Sequence, residues 1–486
     1  MAPRYKRIAV IGAGPSGLAA VKALESERIF DYVRVFERQD RVGGLWAYDA
    51  EPDRFQTTSD EAEKTSEIPE HLRRNGPCFT SPAPEKLGQR GSAYDTLDTN
   101  AGARTMAFTH APLPFGNSIQ SIRKYGRNNS SRPRHVVLKY LEDLFEPYFH
   151  LLQLNTSVER VEKNPDGEWV LTLRQQSVKY GTEGATRDYW WQEAFDAVIV
   201  ASGHFTVASV PEIDGLKETF AKLPEKFEHS KAWRSQQDYV GKRVLVVGGG
   251  VSAADLADDL HDIVEDSLYV SQRTEVEFLK KAFSLPNVVK KPPIKSFSHE
   301  TNGTVHFVDG TFVSGLDKII FATGYKLSYP YLPFKAVTPY NRLAGFYQHI
   351  FRIGDPSLVV IGQVRAAISF RIYEYQAVAV GRYFAGRTEE LPDQDSQKAW
   401  EKTRLEYKGH TELFHEIKPD FVEYYGWLTD FSGAPAEGTD AYTLPIFEDD
   451  WVKSDIEILL AKDKYWDSLI KHYQGVESLQ KDKGPH

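Results

Sequence analysis

The sequence has almost no cysteine and no long apolar run. Cys78 is the single cysteine among 486 residues, so the chain cannot form an intramolecular disulfide, a redox Cys-x-x-Cys pair or a structural zinc cluster. This excludes the dithiol disulfide reductases and fits a reducing compartment, for which we expect the cytoplasm. No stretch of about 18 apolar residues occurs, so we expect no membrane span. No motif predicts a metal site.

The chain also lacks an excess of positive charge. It carries 68 acidic and 59 basic residues, a formal net charge of -9, which opposes binding to a phosphate backbone, and we expect no nucleic-acid partner. The apolar stretch near the amino terminus is interrupted by the glycines of residues 12–17, so we interpret it as strand, turn and helix and not as a signal peptide. At roughly 150 residues per domain, the length predicts about three domains.

A strand, a glycine turn and a helix are predicted at residues 7–24. Gly12, Gly14 and Gly17 have the spacing G-x-G-x-x-G, and a second strand is predicted at 32–37. In such a βαβ unit the free N–H groups and the positive dipole end of the helix face a pyrophosphate, and the glycines let the backbone approach it. We therefore expect a first dinucleotide here.

The same pattern returns in the middle of the chain. A strand is predicted at 243–247, Gly248, Gly250 and Ala253 occupy the three motif positions, and a further strand is predicted at 267–273. One such motif is weak evidence, but two in full strand-turn-helix-strand context are strong. The sequence therefore predicts an α/β protein with two Rossmann-like domains that bind two dinucleotides.

The two copies differ where the adenosine ribose is expected. Aligned without gaps, Glu37 and Arg273 stand at the same position after the second strand, with Thr274 beside Arg273. A carboxylate accepts hydrogen bonds from free ribose hydroxyls, whereas a guanidinium suits a 2′-phosphate. We expect FAD or NAD in the first site and NADPH in the second.

A second pair of matching segments predicts how the domains are connected. Residues 196–203 and 317–324 both consist of an acidic residue, an apolar strand and a small-residue turn. This pairing predicts that an NADPH-binding domain at 208–328 is inserted into a discontinuous FAD-binding domain, of which 1–207 is the first part and 329–486, with a C-terminal extension, the second.

Three stretches are interpreted as elaborations. Residues 51–92 are polar and rich in proline and glycine, which predicts a long loop, and 165–192 predict strands around a polar hairpin. From residue 387 onward we predict mixed helix and loop with many aromatic residues. Those aromatics are expected to pack, and the tail is a possible subunit contact of a homo-oligomer.

Several segments together resemble the flavin-containing monooxygenase family, including its fungal members. Besides the two glycine motifs, the segments are 36–38 (Phe-Glu-Arg), 42–46 (Val-Gly-Gly-Leu-Trp), 92–100 with Met106 beyond it, 321–325 (Phe-Ala-Thr-Gly-Tyr), 347–351, 357–362 and 374–376. The resemblance covers about residues 5 to 386, and the combination is more specific than any single piece. It implies FAD and NADPH as the two cofactors.

The motifs and the resemblance together nominate the cofactor-binding residues. For FAD these are Gly12, Gly14, Pro15, Ser16, Gly17, Glu37, Arg38, Gly44, Leu45, Trp46, Thr99, Asn100, Val158, Ala201 and Gln376. For NADPH they are Gly248, Gly250, Ser252, Ala253, Arg273, Thr274, Ala322, Thr323 and Gly324.

The family's linker signature, F-x-G-x-x-x-H followed by an aromatic residue, is half present. His229 and Trp233 match it, but Leu223 stands in place of Phe and Glu225 in place of Gly. A tryptophan at this place is similar to the related Baeyer–Villiger enzymes, although Arg234 comes after it where they have proline or aspartate. The subclass therefore stays open, and His229 is as well interpreted as a linker residue as a functional one.

The resemblance also implies a mechanism. NADPH reduces FAD, the reduced flavin captures dioxygen as a C4a-(hydro)peroxyflavin, and one oxygen atom passes to a soft nitrogen or sulfur nucleophile of an amine or sulfur substrate. The protein then supplies a dry pocket and a hydrogen-bond donor. Asn100 is the expected catalytic donor, Gln376 is expected at the flavin ring edge, and the Val158 backbone is expected to contact adenine.

Two other functions stay open from sequence. One is Baeyer–Villiger oxygen insertion into ketones, for which a nearby arginine would be wanted, and the sequence does not identify one. The other is a flavoprotein that transfers electrons from NADPH, or regulates, without oxygenating anything. Product formation with amines, thioethers and cyclic ketones distinguishes the three.

Overall fold

The computed structural model describes residues 2–60, 63–86, 88–180 and 185–481. Its helices α1 to α12 are Pro15–Glu27, Glu70–Asn75, Ala103–Met106, Ile119–Tyr125, Arg134–Phe145, Leu216–Lys222, Val251–Leu260, Ser369–Phe384, Gln394–Lys408, Phe421–Ser432, Asp449–Asp455 and Glu457–Lys481. Its strands β1 to β21 are Arg7–Ile11, Tyr32–Phe36, Cys78–Thr80, Leu152–Gln153, Thr156–Lys163, Trp169–Tyr180, Ala185–Phe195, Ala197–Val200, Val207–Ala208, Phe227–His229, Val244–Val247, Leu268–Ser271, Val288–Lys291, Ile294–Ser298, Thr304–Phe307, Phe312–Val313, Lys318–Phe321, Tyr325–Lys326, Phe346–Tyr347, Phe351–Arg352 and Leu358–Val360.

The first sheet joins distant parts of the chain in the order β19-β20-β21-β8-β1-β2-β4. Its central strand β1 runs parallel to β2 and to β8, with Ile8 opposite Val33 on one side and Ala197 on the other. A buried parallel strand needs apolar residues on both faces. Ile8 and Val10 pack against α1 and α8, whereas Ala9 and Ile11 pack toward β5–β7.

The second sheet, β10-β17-β11-β12-β13, lies within residues 227–321 and is parallel. Its central strand β11 repeats the pattern of β1, because Val244 and Val246 face one apolar core and Leu245 and Val247 face another. The first sheet takes strands from before and after this segment. The fold class is therefore confirmed as two Rossmann-like domains, one inserted into the other, while the boundaries 208 and 328 stay a prediction. We call residues 208–328 the inserted segment and the rest the outer segment.

The two connections between the segments lie side by side. β9, at the start of the inserted segment, pairs antiparallel with β18, near the end of that segment. Ala208 lies opposite Tyr325 and Val207 opposite Lys326. The chain therefore enters and leaves the inserted segment through one two-stranded ribbon.

The stretch 51–92 is more ordered than the predicted long loop. It contains the short helix α2 and the strand β3, which pairs with β7 at the edge of the antiparallel sheet β3-β7-β6-β5. Leu72 of α2 packs on Trp190 of that sheet, which explains how a polar segment is held. The predicted hairpin is formed by β6 and β7, and its tip at 181–184 lies outside the described residues.

The tail predicted as mixed helix and loop is largely helical from α9 to α12. Trp451 and Trp466 are 3% and 1% exposed, in agreement with a packing role. Across the described ranges, no helix is both long and apolar enough to span a bilayer.

Candidate active site

The first glycine turn, residues 12–17, brings the start of α1 against the end of β8. Gly12 has a φ of +106°, and a Cβ there would lie 2.7 Å from the Ala201 carbonyl oxygen. A Cβ on Gly17 would lie 2.0 Å from the Gly12 oxygen, and one on Gly44 would lie 2.9 Å from the Cα of Gly14. Side chains are therefore excluded, and the positive end of α1 faces a ligand-sized space.

A cleft with a cavity volume of about 420 Å³ opens in front of this turn. Its walls come from the ends of β1, β2, β5 and β8 and from the turn that precedes α8. The predicted FAD residues that line it are Gly12, Gly14, Pro15, Ser16, Glu37, Arg38, Gly44, Leu45, Trp46, Val158 and Ala201. Gly17 supports the turn from behind. The structure thus brings most of the nominated residues together, and their contacts to FAD stay a prediction.

Glu37 is fixed at the end of β2 with 7% of its surface exposed. Its carboxylate accepts hydrogen bonds from the backbone N–H of Ala13 at 2.8 Å and of Gln39 at 2.9 Å. Burial raises the pKa of Glu37, and these N–H groups partly offset the shift. The side chain is therefore pre-oriented beside the cleft, as an acceptor for ribose hydroxyls would be.

Arg38 and Val158 shape the same end of the cleft. The Arg38 guanidinium donates to the Gly88 carbonyl oxygen at 2.9 Å, which ties the 86–92 segment to the end of β2. The pairing of β5 with β6 shifts register between Val158 and Arg160. Such a shift leaves backbone groups outside the ladder, beside the cleft.

Thr99 and Asn100 lie outside the lining of this cleft, in a small neighbouring cavity. The Asn100 amide donates to an Asp255 carboxylate oxygen of α7 at 3.4 Å. The Thr99 hydroxyl donates to the Ala101 carbonyl oxygen at 2.9 Å. Another wall residue of this cavity, Asp259, has a pKa raised to about 6 by burial, which Lys124 partly offsets. Asn100 therefore lies between the outer and inserted segments, and its catalytic role stays a prediction.

Gln376 lies on helix α8 and is fully buried behind the cleft. Its oxygen accepts from the Gly362 N–H at 2.8 Å, and its amide donates to the Tyr424 hydroxyl at 2.8 Å. Since Gly362 itself lines the cleft, Gln376 fixes a wall residue. A direct contact with the flavin ring stays a prediction.

The second glycine turn, residues 248–253, is built like the first. Gly248 has a φ of +145°, and a Cβ there would lie 2.3 Å from the Ala322 carbonyl oxygen. Gly250 precedes the first residue of α7, and Ala253 is fully buried against the core. A glycine at position 248 is required by this close approach, just as at position 12.

The end of β12 differs from the end of β2. Arg273 and Thr274 are both exposed, and no hydrogen bond or ion pair of Arg273 occurs within the described ranges. Ser252 and Gly324 are also exposed, whereas the Thr323 hydroxyl donates to the Ser209 carbonyl oxygen. An exposed guanidinium at a strand end suits a 2′-phosphate, which stays a prediction.

The linker residues of the half-matched signature have structural partners. His229 Nδ1 accepts from the Lys231 N–H at 3.1 Å, and burial lowers the pKa of His229 to about 4. Trp233 stacks on Tyr239 in the core of the second sheet. Arg234 donates to the Asp49 carbonyl oxygen at 2.8 Å, which ties the linker to the outer segment.

His204 is a wall residue of the large cleft that the sequence did not nominate. Burial lowers the pKa of His204 to about 4, and its buried Nδ1 atom has no hydrogen-bond partner in the part of the chain that the structure describes. The available signal was its place just after β8, since ligands bind at the carboxyl ends of parallel strands. An orphaned polar atom, a turn that excludes side chains and a fixed Glu37 together fit a dinucleotide such as FAD.

Comparison with known proteins identifies family models that match most of this chain. The model of the family described as flavin-binding monooxygenase-like matches residues 89–285 and 279–437, and an NAD(P)-binding Rossmann-like domain matches residues 10–59. Flavin-containing monooxygenase FMO GS-OX5 of Arabidopsis thaliana is 30% identical over 458 residues, which cover 90% of this chain and 88% of the relative. Flavin-containing monooxygenase ustF2 of Aspergillus flavus is 27% identical, over 85% of this chain and 89% of its own.

Solved structures share the fold. S-allyl-L-cysteine S-oxygenase from Allium sativum superposes with a TM-score of 0.71 at 23% identity, covering 97% of this chain and 98% of that one. Tmm from Pelagibacter sp. strain HTCC7211 gives a TM-score of 0.65 at 21% identity, over 88% of this chain and 87% of that one. At these identities the likeness establishes the fold.

Proposed function

The chain belongs to the flavin-binding monooxygenase-like family, and from that premise we propose that it transfers one oxygen atom of dioxygen to a soft nitrogen or sulfur atom of a small molecule. Family membership makes it an NADPH-dependent oxidoreductase with FAD and NADPH as cofactors. The nitrogen or sulfur substrate and the individual site residues are our proposal.

The observation that carries the proposal is the pair of glycine turns with opposite charge at their strand ends. Both turns exclude side chains, so each leaves room for a pyrophosphate at a helix start. Glu37 is a buried acceptor beside the first, and Arg273 is an exposed cation beside the second. This supports FAD in the first site and NADPH in the second.

The residues of this chain bind and orient the cofactors and exclude water from the cleft. When bound, FAD takes a hydride from NADPH and in its reduced form activates dioxygen. Glu37 holds the adenosine ribose and the start of α1 holds the pyrophosphate. The neutral His204 ring offers a polar atom inside the cleft, where burial keeps it uncharged. Asn100 offers an amide donor between the segments.

The proposal is tested with purified protein and a panel of substrates under ¹⁸O₂. We expect a yellow protein that consumes NADPH faster than NADH and places one ¹⁸O atom into a tertiary amine or a thioether. NADPH consumption that yields hydrogen peroxide and no oxygenated product would contradict oxygen transfer and favour the electron-transfer function. Lactone formation from a cyclic ketone, with no reaction of amines or thioethers, would favour Baeyer–Villiger chemistry.

A further inference from the structure

The C-terminal segment enters the cores of both segments of the protein. Trp451 of α11 packs on Tyr375, Tyr425 and Phe447 in the core of the outer segment. Trp466 of α12 is 1% exposed and belongs to the core around α7 of the inserted segment. One stretch of chain therefore anchors a large aromatic side chain on each side of the domain boundary.

On the outer side, the stretch contacts the loop that carries Asn100. The Gly102 N–H donates to the Asp455 carbonyl oxygen at 3.3 Å. A Cβ on Gly102 would lie 2.0 Å from the Ser454 carbonyl oxygen, so the two backbones touch. The loop therefore cannot shift outward while this stretch is in place.

On the inserted side, the C-terminal helix makes ion pairs in addition to the packing of Trp466. Lys462 of α12 pairs with Asp255 of α7, and its side chain is 10% exposed. Lys281 pairs with Asp463 at 2.8 Å. The Asp255 side chain is 23% exposed, so the Lys462–Asp255 pair is largely buried. Such a pair restricts the orientation of both partners, because removing one leaves the charge of the other poorly solvated.

Asp255 joins the two sides. One of its carboxylate oxygens accepts from the Lys462 ammonium, and the other accepts from the Asn100 amide at 3.4 Å. The Asn100 amide is therefore held by an aspartate of the inserted segment, which is in turn held by a lysine of the C-terminal helix.

We propose that residues 449–470 form an interdomain brace, and that Lys462 and Asp255 are positioning residues that orient Asn100. The brace fixes the inserted segment against the outer segment through contacts other than those of the β9–β18 ribbon. The positioning role rests on the proposed function, whereas the brace does not. Neither residue needs to touch the cofactors or the substrate.

The test compares Lys462→Gln with Lys464→Gln, because Lys464 is exposed on the same helix and has no ion pair in the described part of the chain. Hydrogen–deuterium exchange of the 98–106 and 251–260 peptides reports the brace without any catalysis. We expect exchange to rise by about ten-fold in Lys462→Gln, to stay at the wild-type rate in Lys464→Gln and to return toward it in Lys462→Arg.

The second readout is the fraction of consumed NADPH that appears as oxygenated product, measured with Asp255→Asn as an independent variant. We expect this fraction to fall in Lys462→Gln and Asp255→Asn and to recover in Lys462→Arg, while the KM for NADPH changes little. Unchanged exchange in both peptides overturns the brace. Raised exchange with an unchanged product fraction overturns the positioning role. A wild-type protein that oxygenates no substrate overturns the proposed function, and exchange still decides the brace.

Discussion

The turn at Gly12 and the turn at Gly248 each pack a positive-φ glycine against an alanine carbonyl oxygen, Ala201 in one and Ala322 in the other. The two turns differ in their surroundings. The first opens into a cleft of about 420 Å³ with Glu37 held by two backbone N–H groups. The second leads to an exposed arginine. The same backbone contact thus occurs beside a cleft with a buried acceptor and beside an exposed cation.

The largest effect is expected where the first turn is obstructed. Gly12→Ala places a Cβ against backbone in a left-handed conformation. We therefore expect the free energy of flavin binding to weaken by about 3 kcal/mol or more, and the protein to be purified without flavin. The ratio of absorbance at 450 and 280 nm measures it. Gly167→Ala is the matched control, since Gly167 also has a positive φ but no heavy atom of the described residues lies near its Cβ position. Flavin retained in Gly12→Ala would show that the turn can relax.

Obstructing the second turn is expected to weaken NADPH binding without affecting flavin binding. Gly248→Ala creates the same backbone contact, so we expect about 2–3 kcal/mol weaker NADPH binding with flavin still bound. Stopped-flow reduction of the flavin at varied NADPH measures this, and Gly241→Ala serves as a control at an open positive-φ position. Loss of flavin in Gly248→Ala would contradict the independence of the two sites.

The arginine at the end of β12 is tested by the preference of the protein for NADPH over NADH. We expect Arg273→Gln to weaken NADPH binding by about 1.5–3 kcal/mol and to leave NADH binding nearly unchanged, because the guanidinium would pair with the 2′-phosphate. The KM ratio of the two cofactors measures it. Lys295→Gln removes an exposed charge elsewhere in the inserted segment and controls for net charge. Equal losses for NADPH and NADH would remove this role from Arg273.

Asn100 lies between the outer and inserted segments, and a variant there distinguishes cofactor binding from oxygen transfer. We expect Asn100→Ala to keep flavin and NADPH bound while the product fraction per NADPH falls by about ten-fold, or about 1.4 kcal/mol. Product and hydrogen peroxide are measured together, with Asn75→Ala as the exposed control. An unchanged product fraction per NADPH consumed would show that Asn100 takes no part in the reaction.

Acid is expected to lower the stability of the folded chain. In the core of the outer segment, His349 and His415 face each other with their Nδ1 atoms 3.1 Å apart, and burial lowers the pKa of both, that of His415 to about 3. Below about pH 6.5 the unfolded chain takes up protons that these folded rings do not. Stability is therefore lost as pH falls from that value, at about 1.4 kcal/mol per pH unit for each histidine.

Unfolding free energies measured between pH 7 and pH 5 check this expectation. His415→Gln should flatten the dependence, whereas His472→Gln, at an exposed position, should leave it unchanged. A wild-type curve as flat as that of His415→Gln would contradict the assignment.

Much of the fold was predictable because it depends on local patterns. The glycine spacing and the flanking apolar strands predicted both turns, and the paired segments before Gly203 and Gly324 predicted the insertion. The lining of the cleft was less predictable. Asn100 and Gln376 were nominated for one site, but tertiary packing places Asn100 against Asp255 of the inserted segment and Gln376 behind Gly362.

Other features had no local signal at all. The order of residues 70–80 depends on the pairing of the edge strand β3 with β7, which is remote in sequence. The role of the tail depends on which core receives Trp466, which no periodicity in the sequence indicates.

The ribbon formed by β9 and β18 has a consequence for protein engineering. Opposite residues of an antiparallel pair have Cα atoms about 5 Å apart, so the two ends of the inserted segment are close neighbours. A tight hairpin loop would close the gap left by its excision. The outer sheet takes no strand from the excised part, so its strand order would be kept, but Trp466 would lose the inserted core that buries it.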